Sequence, residues 1–411
     1  MPDLSDRRYD IVLYGASGFV GQQTVQYFAH YLERYPIPLR WAIAGRNQQK
    51  LAAVKAQLGI EVDVLVGDSQ DQEAIDRIVS QTQVLLTTAG PFALYGNLLV
   101  DACVRFKTDY VDITGETPWI KRLIDRYHAQ AAAAGTRIIP GCGFDSVPSD
   151  LGTFLVVRHL QQTFGLPCQQ VKAYFQAYGG FNGGTLASGF NLYDSGAAAQ
   201  FAQPFLLNPP ELPVPSPIDR HRDPQTPGFD PDLQTWVSPF FMSPVNTRIV
   251  RRSSALYSQW QEPYGADFAY QEYFKFDQPL SWLKAIGTTA GLALFLAILQ
   301  QPQLRSVFQG WLPQPGSGPS EQTMDQGWFA CELIGTDSAG HQVRGLIRDQ
   351  GDPGNRATVK MLCESALGLV LNRNALPGGA SRGGILTPAT GLGDVLADRL
   401  RQAGMTVAIP I

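Results

Sequence analysis

Three glycines spaced three residues apart near the N-terminus could bind a phosphate through their backbone. Gly15, Gly18 and Gly21 follow the apolar run 9–14 and precede apolar residues at helical spacing. A strand that ends in such a turn and starts a helix presents backbone N–H groups and a positive helix end to a pyrophosphate. The turn predicts a dinucleotide site, and an ordinary βαβ crossover without a ligand is the alternative. The candidate contacts are Gly15, Ala16, Ser17, Gly18, Phe19, Val20 and Gly21.

The residue after the second predicted strand distinguishes between the two nicotinamide dinucleotides. An NAD site usually has Asp or Glu there for the ribose 2′-OH, whereas an NADP site offers Arg to the 2′-phosphate. The strand 39–44 is followed by Gly45 and Arg46, with no carboxylate nearby. Arg46 favours NADP(H), because a guanidinium pairs with phosphate through a planar fork. A solvated surface arginine is the alternative.

Two further loops follow predicted strands at the edge where the cofactor would bind. Asp68 follows the strand 62–66 and could contact an adenine, with a helix-entry role as the alternative. Ser69 and Gln72 predict a capping box for the next helix. The strand 84–88 leads into a loop that would pass near the nicotinamide half of the cofactor. The candidate contacts in that loop are Ala89, Gly90 and Pro91.

A glycine-rich loop at 140–150 is the predicted place where substrate meets the nicotinamide. It lies at the switch from the cofactor domain to a second domain, and ligand sites are common between domains. Side chains there and in nearby loops could orient a carbonyl or deliver a proton. The candidate catalytic residues are Cys142, Asp145, Ser146 and Tyr95, with Glu116 in a neighbouring loop.

These candidates have structural alternatives. Asp145 and Ser146 could cap the helix that is predicted to begin near Pro148. Cys142 could be a small apolar residue packed under the cofactor. The HExxH zinc motif and paired cysteines are absent from the sequence, so we expect no metal site.

A parallel sheet with helices on both faces would bring these strand ends together. The N-terminal strands alternate with amphipathic helical segments, which predicts an α/β fold with a doubly wound Rossmann domain. About six parallel strands are predicted, and ligand-facing residues should therefore lie in the loops that follow them. The predicted strands are 9–14, 39–44, 62–66, 84–88, 110–113 and 137–140.

The organisation changes after about residue 150, where strand-like alternation predicts a second α/β domain with a mixed sheet. Prolines are concentrated in 204–244, which predicts an ordered excursion or a flexible cover that shapes the substrate cleft. The predicted boundaries are 1–150 for the first domain, 151–380 for the second and 381–411 for a C-terminal segment. The second domain's predicted strands are 171–178, 268–274, 327–333 and 342–347, and an amphipathic helix is predicted at 391–401.

The segment 285–299 carries no charged residue and ends in an apolar run. It is shorter than the roughly 20 residues that span a bilayer. One interpretation is a buried helix of the second domain. The other is an apolar helix that rests against a membrane or lipid body, with Lys284 at the interface.

The composition shows no marked charge bias. The 411 residues include 32 Lys and Arg and 36 Asp and Glu, and the net charge of −4 predicts no binding to nucleic acid. The five cysteines include no CxxC pair, so a reducing cytosol fits better than a disulfide framework. Residues 1–8 are polar and lack an apolar signal-peptide core, so we expect a cytoplasmic protein, with a peripheral membrane location as the alternative.

The glycine turn and the loops described above also match the motifs of a known family. The motifs are YGASGFVG at 14–21, AGR at 44–46, GPF at 90–92, DYVDITGE at 109–116 and PGCGFDSVPSD at 140–150. They resemble the saccharopine dehydrogenase-like oxidoreductases, and most of all the branch that includes the trans-acting enoyl reductases. Residues 183–185 and 382–389 also look like that branch, so the resemblance covers most of the chain.

The resemblance implies an NADP-binding Rossmann domain joined to an α/β domain, with 381–411 returning to the first domain. It carries the family's glycine turn onto Gly15, Gly18 and Gly21. Members of the enoyl reductase branch reduce a carbon–carbon double bond of a polyketide or fatty-acyl chain during glycolipid synthesis. Related animal proteins associate with membranes and lipid droplets.

We therefore expect an NADPH-dependent oxidoreductase that reduces an enoyl double bond of a polyketide or fatty-acyl lipid precursor. The alternatives are a saccharopine-type C–N oxidoreductase and a lipid-associated NADP-binding protein without catalysis. The expected partner is a small-molecule or lipid-linked substrate. Peripheral membrane contact through 285–299 and a homodimer are further expectations.

Overall fold

The computed structural model describes residues 6–180, 182–215, 217–301, 303 and 316–410. These residues form two seven-stranded β-sheets with helices packed against them. In chain order, the strands are β1 (Tyr9–Tyr14), β2 (Trp41–Gly45), β3 (Asp63–Val66), β4 (Thr82–Thr87), β5 (Asp109–Val111), β6 (Arg137–Ile139), β7 (Cys168–Tyr178), β8 (Gly228–Asp230), β9 (Thr235–Pro239), β10 (Ala269–Lys275), β11 (Trp328–Asp337), β12 (Gln342–Gln350), β13 (Gly384–Ile385) and β14 (Thr406–Ala408). The helices are α1 (Phe19–Arg34), α2 (Gln48–Leu58), α3 (Gln72–Val79), α4 (Phe92–Tyr95), α5 (Asn97–Phe106), α6 (Thr117–Ala134), α7 (Val147–Phe164), α8 (Gly183–Asp194), α9 (Ser243–Gln259), α10 (Ser281–Gln300), α11 (Glu321–Gln326), α12 (Thr358–Leu371) and α13 (Pro388–Gln402).

The first sheet is parallel, with the strand order β13-β6-β5-β4-β1-β2-β3. The inner strand β1 is buried at every position, as expected where helices cover both faces of a sheet. The order reverses between β1 and β4, and doubly wound sheets bind ligands at the carboxyl ends of such strands. The sheet confirms the predicted Rossmann domain and adds the two-residue strand β13, which is too short for a sequence signal.

The second sheet has the order β14-β12-β11-β7-β10-β9-β8. Strands β7 and β10 pair in parallel, and the other described pairs are antiparallel. The four strands predicted in this part of the chain correspond to β7, β10, β11 and β12. The prediction of a mixed second sheet is therefore confirmed.

The proline-rich segment 204–244 supplies β8 and β9 and leads into α9. Helix α9 carries buried arginines that donate hydrogen bonds to carbonyl oxygens of this segment. Arg251 Nη1 donates to Pro204 over 2.9 Å, and Arg252 donates to Leu207. A proline-rich chain has few N–H donors for a sheet, so these guanidinium groups supply partners that its carbonyls need.

The C-terminal part of the chain packs on both sheets. Helix α12 contacts α1, β4 and β5 of the first sheet. Gly384 and Ile385 then pair with Arg137 and Ile138 of β6, and β14 pairs with β12 of the second sheet. Within the segment 381–411, β13 therefore returns to the first sheet as predicted, whereas the last strand joins the second sheet.

Most of helix α10, which contains the apolar segment 285–299, faces away from the protein. The helix is long and apolar enough to cross a membrane, by length and composition alone. Within it, Ser281, Ala285 and Leu299 are buried. It contacts α8 and β9. The interpretation of this segment as a buried helix of the second domain is therefore wrong, because most of its residues are not buried.

Candidate functional site

The glycine turn between β1 and α1 has a backbone that requires glycine. Gly15 has a φ of +88°, and a Cβ atom there would lie 3.0 Å from the backbone nitrogen of Ala89. A Cβ atom on Gly21 would lie 2.1 Å from the carbonyl oxygen of Gly15. Helix α1 therefore begins in direct contact with the end of β1, and the turn lies beside the loop after β4.

The N-terminus of α1 is open for an anion. The N-cap residue Gly18 is exposed, and no side chain caps the helix. Gly15 and Ala16 donate their N–H groups to Ala44, over 2.9 and 3.3 Å, and Gly18 donates to Gly15 over 3.0 Å. The N–H groups of Phe19, in the first helical turn, and of its neighbours have no helical acceptor. With no acidic residue in this turn, the site fits the pyrophosphate of NADP(H).

Arg46 directly follows β2, and its side chain is exposed. Burial is the main cause that raises the pKa of the Tyr14 hydroxyl to about 12, and the charge of Asp68 acts in the same direction, whereas a hydrogen bond with Ser69 and the charge of Arg46 oppose the rise. That hydroxyl donates to the carbonyl oxygen of Gly67 over 2.9 Å. Arg46 therefore lies after the second strand, where an arginine can reach a 2′-phosphate in doubly wound folds.

Asp68 is exposed in the loop after β3 and accepts the backbone N–H two residues further on, over 2.9 Å. It therefore starts the turn into α3 at the edge where an adenine would lie. The predicted capping box of Ser69 and Gln72 is wrong. Asp71 is the N-cap residue and accepts the Ala74 N–H over 3.1 Å, because Ser69 lies too far before the helix.

The loop 89–91 follows β4 and touches the glycine turn. The Thr88 hydroxyl donates to the carbonyl oxygen of Gly15 over 3.3 Å. A Cβ atom on Gly90 would lie 3.6 Å from Oγ of Ser188, which belongs to α8. The loop therefore lies between the glycine turn and a helix that is outside the first sheet.

Asp112 fixes the two loops that follow β5 and β6. Its Oδ1 accepts the N–H groups of Thr114 and Gly141, each over 2.9 Å, and its Oδ2 accepts the hydroxyl of Tyr110 over 2.7 Å. Burial raises the pKa of Asp112 to about 7, and the two backbone N–H groups oppose that rise. Asp112 is not among the predicted site residues because it falls inside the predicted strand 110–113, whereas β5 ends at Val111.

Asp145 is half-buried in the loop after β6. Its Oδ1 lies 3.9 Å from the position of a Cβ atom on Gly115, with Met242 and Val245 of the α9 region equally close to that position. Burial, and then the nearby Asp112, raise the pKa of Asp145 to about 7. A carboxyl group that titrates near neutral pH can hold a proton and deliver it.

Cys142 and Ser146 are inside the protein. Cys142 is completely buried and donates to the carbonyl oxygen of Ile139 over 3.3 Å, and burial raises the pKa of its thiol far above the usual range. Ser146 is the N-cap residue of α7, but its side chain makes no capping hydrogen bond. Its buried Oγ has no partner among the described residues. The structure thus brings neither side chain to the surface of the cleft.

Tyr95 and Glu116 lie next to the loop 89–91. Tyr95 ends the short helix α4 and is half-buried. Glu116 is buried, and its carboxylate accepts the N–H groups of Phe92 and Ala93 over 2.8 and 3.0 Å. Tyr95 therefore lies at the end of the helix that follows the loop, and Glu116 fixes the start of that helix through two hydrogen bonds.

The loops 15–21, 89–91, 112–116 and 140–146 meet at one edge of the first sheet, with α8 and the start of α9 opposite them. This edge offers an anion site, a cation for a 2′-phosphate and the titratable carboxyl of Asp145. Together these groups can bind a nicotinamide dinucleotide and supply a proton to a neighbouring substrate.

Comparison with known proteins identifies the family. Residues 11–139 match the saccharopine dehydrogenase NADP-binding domain. A trans-acting enoyl reductase of Mycobacterium bovis is 34% identical over 427 residues, covering 98% of each chain, and one of Mycobacterium ulcerans is 33% identical over 430 residues with the same coverage.

The fold has a solved counterpart. The apo saccharopine dehydrogenase (L-Glu forming) of Saccharomyces cerevisiae aligns with a TM-score of 0.52, over 98% of this chain and 99% of that one, at 14% sequence identity. This likeness concerns the fold. The chain belongs to the family of the trans-acting enoyl reductases, contains a saccharopine dehydrogenase NADP-binding domain at 11–139, and is an NADP(H)-dependent oxidoreductase.

Proposed function

We propose that this protein reduces the enoyl double bond of a polyketide or fatty-acyl lipid precursor with NADPH. The observation that carries the proposal is its full-length similarity to proteins named trans-acting enoyl reductases. The Asp145 carboxyl at the cofactor edge supports it, because reduction of a polarised double bond needs a proton donor as well as a hydride.

Bound NADPH supplies a hydride for the β-carbon of the enoyl group. The open N-terminus of α1 binds the pyrophosphate, and Arg46 binds the 2′-phosphate. With a pKa of about 7, the Asp145 carboxyl is protonated in part of the molecules at neutral pH, and it delivers this proton to the α-carbon. Helix α8 and the start of α9 cover the cleft, and most of the rate gain comes from orientation of the two reactants.

The proposal is tested by incubating the protein with NADPH and 2-enoyl thioesters of several chain lengths. We expect NADPH oxidation above the thioester-free blank and a saturated product in the mass spectrum. Asp145→Asn should lower kcat by about 10²–10⁴-fold, the range for loss of a general acid. Asp398→Asn is the matched control, because Asp398 lies on the surface of α13 and pairs with Arg401.

The same assay separates the alternatives. Turnover of amino-acid and keto-acid pairs, without turnover of enoyl thioesters, would replace our proposal with a saccharopine-type C–N oxidoreductase. Tight NADPH binding without turnover of either substrate class would indicate an NADP-binding protein without catalysis.

We also propose that α10 lies on a lipid bilayer and brings the protein to a lipid-linked substrate in glycolipid synthesis. Trp282, Leu283, Ile286 and Leu294 are each about half exposed, at 48, 51, 45 and 62%. Lys284 follows the exposed tryptophan, and a Trp and a Lys at one end of an apolar helix suit the membrane interface. Because α10 contacts α8, an acyl chain that leaves the bilayer could reach the cleft along α8.

Flotation with liposomes tests this contact. We expect the protein to float with vesicles and the variant Ala293→Glu/Leu294→Glu to remain at the bottom of the gradient. Val66→Glu adds a charge at an exposed apolar residue of β3 and should float like the wild type. Equal flotation of all three proteins would contradict the membrane proposal.

A cytoplasmic location with peripheral membrane contact, and a homodimer, complete the proposal. Sedimentation velocity in detergent-free buffer measures the assembly directly. A single species at the mass of one chain would contradict the homodimer.

A further inference from the structure

The buried carboxylate of Glu116 joins two parts of the protein. Its Oε1 accepts the Phe92 N–H over 2.8 Å and the Ser188 hydroxyl over 2.9 Å, and its Oε2 accepts the Ala93 N–H over 3.0 Å. Phe92 and Ala93 directly follow the loop 89–91 at the switch point of the first sheet. Ser188 belongs to α8. One side chain therefore connects the cofactor edge to α8.

Ser188 also contacts the loop itself. A Cβ atom on Gly90 would lie 3.6 Å from Ser188 Oγ and 3.3 Å from the Phe92 ring. The hydroxyl thus lies between Gly90 and the Glu116 carboxylate. A displacement of α8 would remove one of the three donors to Glu116 and open the space beside Gly90.

The N-terminus of α8 is held by a part of the chain outside the Rossmann domain. Its N-cap Asn182 accepts the Thr185 N–H over 3.0 Å and donates to Asn355 over 3.0 Å. Further along, α8 contacts α10. Because Ser188 lies within α8, a displacement of this helix would move the Ser188 hydroxyl relative to Glu116.

A cavity of about 340 Å³ opens next to Glu116, between the start of α6 and the second half of α8. Leu94 and Trp119 line one side, and Asn191, Leu192 and Gln200 line the other. The position of α8 sets the width of this cavity. A substrate in this cavity would contact α8, the helix that contains Ser188.

We propose that Glu116 is a positioning residue that aligns the loop 89–91 with the bound cofactor when α8 is seated on the Rossmann domain. Binding of an acyl substrate against α8 then keeps the loop 89–91 in the position that hydride transfer requires. This inference rests on the proposed function for its substrate class. The alignment of the loop by Glu116 and Ser188 is measurable without any substrate.

Hydrogen–deuterium exchange of the Phe92 and Ala93 amides, with saturating NADPH, tests the alignment. We expect exchange to be about tenfold faster in Ser188→Ala than in the wild type, since a hydrogen bond to a carboxylate is lost. Glu116→Gln should give a larger effect, because the amide has one acceptor oxygen instead of two. Ser258→Ala is the matched control, since Ser258 is exposed on α9 and donates to Ser254.

Single-turnover reduction of an enoyl thioester at saturating NADPH tests the consequence for the reaction. We expect Ser188→Ala to slow hydride transfer about tenfold while the Kd for NADPH changes less than about twofold. Unchanged exchange at Phe92 and Ala93 in both variants would overturn the proposal. So would a loss of stability and NADPH affinity with normal hydride transfer, which is the result of a purely structural role.

The two proposals fail in different ways. If the wild type reduces no enoyl thioester but Ser188→Ala and Glu116→Gln still loosen the loop, the enoyl substrate is wrong and the role of Glu116 in alignment stands.

Discussion

A Cβ atom on Gly21 would lie 2.1 Å from the carbonyl oxygen of Gly15. Gly21→Ala should therefore push α1 away from β1. We expect the free energy of unfolding to fall by about 1–3 kcal/mol, the usual effect of overpacking, and NADPH binding to weaken because the first turn of α1 moves. Urea unfolding and NADPH fluorescence titration measure the two effects.

The control for this substitution is Gly287→Ala in α10. Among the described residues, and apart from the adjoining helix backbone, no atom lies within 4 Å of a Cβ atom at that position, and helix propensity favours alanine over glycine. Its unfolding free energy should stay equal or rise. Equal effects of the two substitutions would contradict the close packing of α1 on β1.

Arg46→Ala should weaken NADPH binding by roughly 1–3 kcal/mol and leave NADH binding nearly unchanged, because only NADPH carries the 2′-phosphate. Isothermal titration with both cofactors measures the difference. Arg34→Ala, at the far end of α1, should change neither affinity. An equal loss for NADPH and NADH would remove the proposed phosphate contact.

Asp145 should make the stability depend on pH. Burial and the neighbouring Asp112 raise its pKa to about 7 in the folded protein, whereas an unfolded Asp titrates near 4. The folded state therefore holds a proton over this range that the unfolded state releases. The stability from this group is fully present below about pH 4 and is lost as the pH rises through about 7.

Asp145→Asn removes this dependence. Relative to the wild type, its unfolding free energy should increase by roughly 1–3 kcal/mol between pH 4 and pH 8. Urea titrations at several pH values measure it. A constant difference between the two proteins over this range would show that Asp145 has an ordinary pKa.

Arg252→Met should destabilise the protein by roughly 2–4 kcal/mol, because the buried carbonyl oxygens of Leu207 and Ile385 lose their donor. Limited proteolysis should then cleave within 204–244. Arg222→Met, which removes an exposed ion pair with Asp219, should cost less than about 0.5 kcal/mol. Resistance of 204–244 to protease in the Arg252 variant would contradict its anchoring by α9.

The first sheet was predictable because its signals are local. The turn 15–21 and the strand ends at Arg46 and 89–91 follow from the spacing of glycines and apolar residues along the chain. The fold places them at one edge, as a doubly wound sheet must. Strand β13 was not predictable, because two residues are too few to show the alternation of apolar and polar side chains that marks a strand.

The rest of the site depends on contacts between distant residues. Arg251 and Arg252 resemble surface residues in the sequence, and only the fold shows that they bind proline-rich carbonyls. Ser188 has no local signal for its contact with Glu116. Cys142 and Asp145 are three residues apart in one loop, and burial separates them into a core thiol and a half-exposed acid.

The late position of the short strand β13 in the chain affects how the protein folds during its synthesis. The Rossmann residues emerge from the ribosome first, but the outer edge of β6 receives its partner only when residues 384 and 385 emerge, long after β6 itself. Until then the nascent chain exposes an unpaired strand edge, together with the apolar surface that α12 later covers. Chaperones should therefore have to protect the incomplete Rossmann domain while the remainder is translated. A fragment that ends after β6 should aggregate.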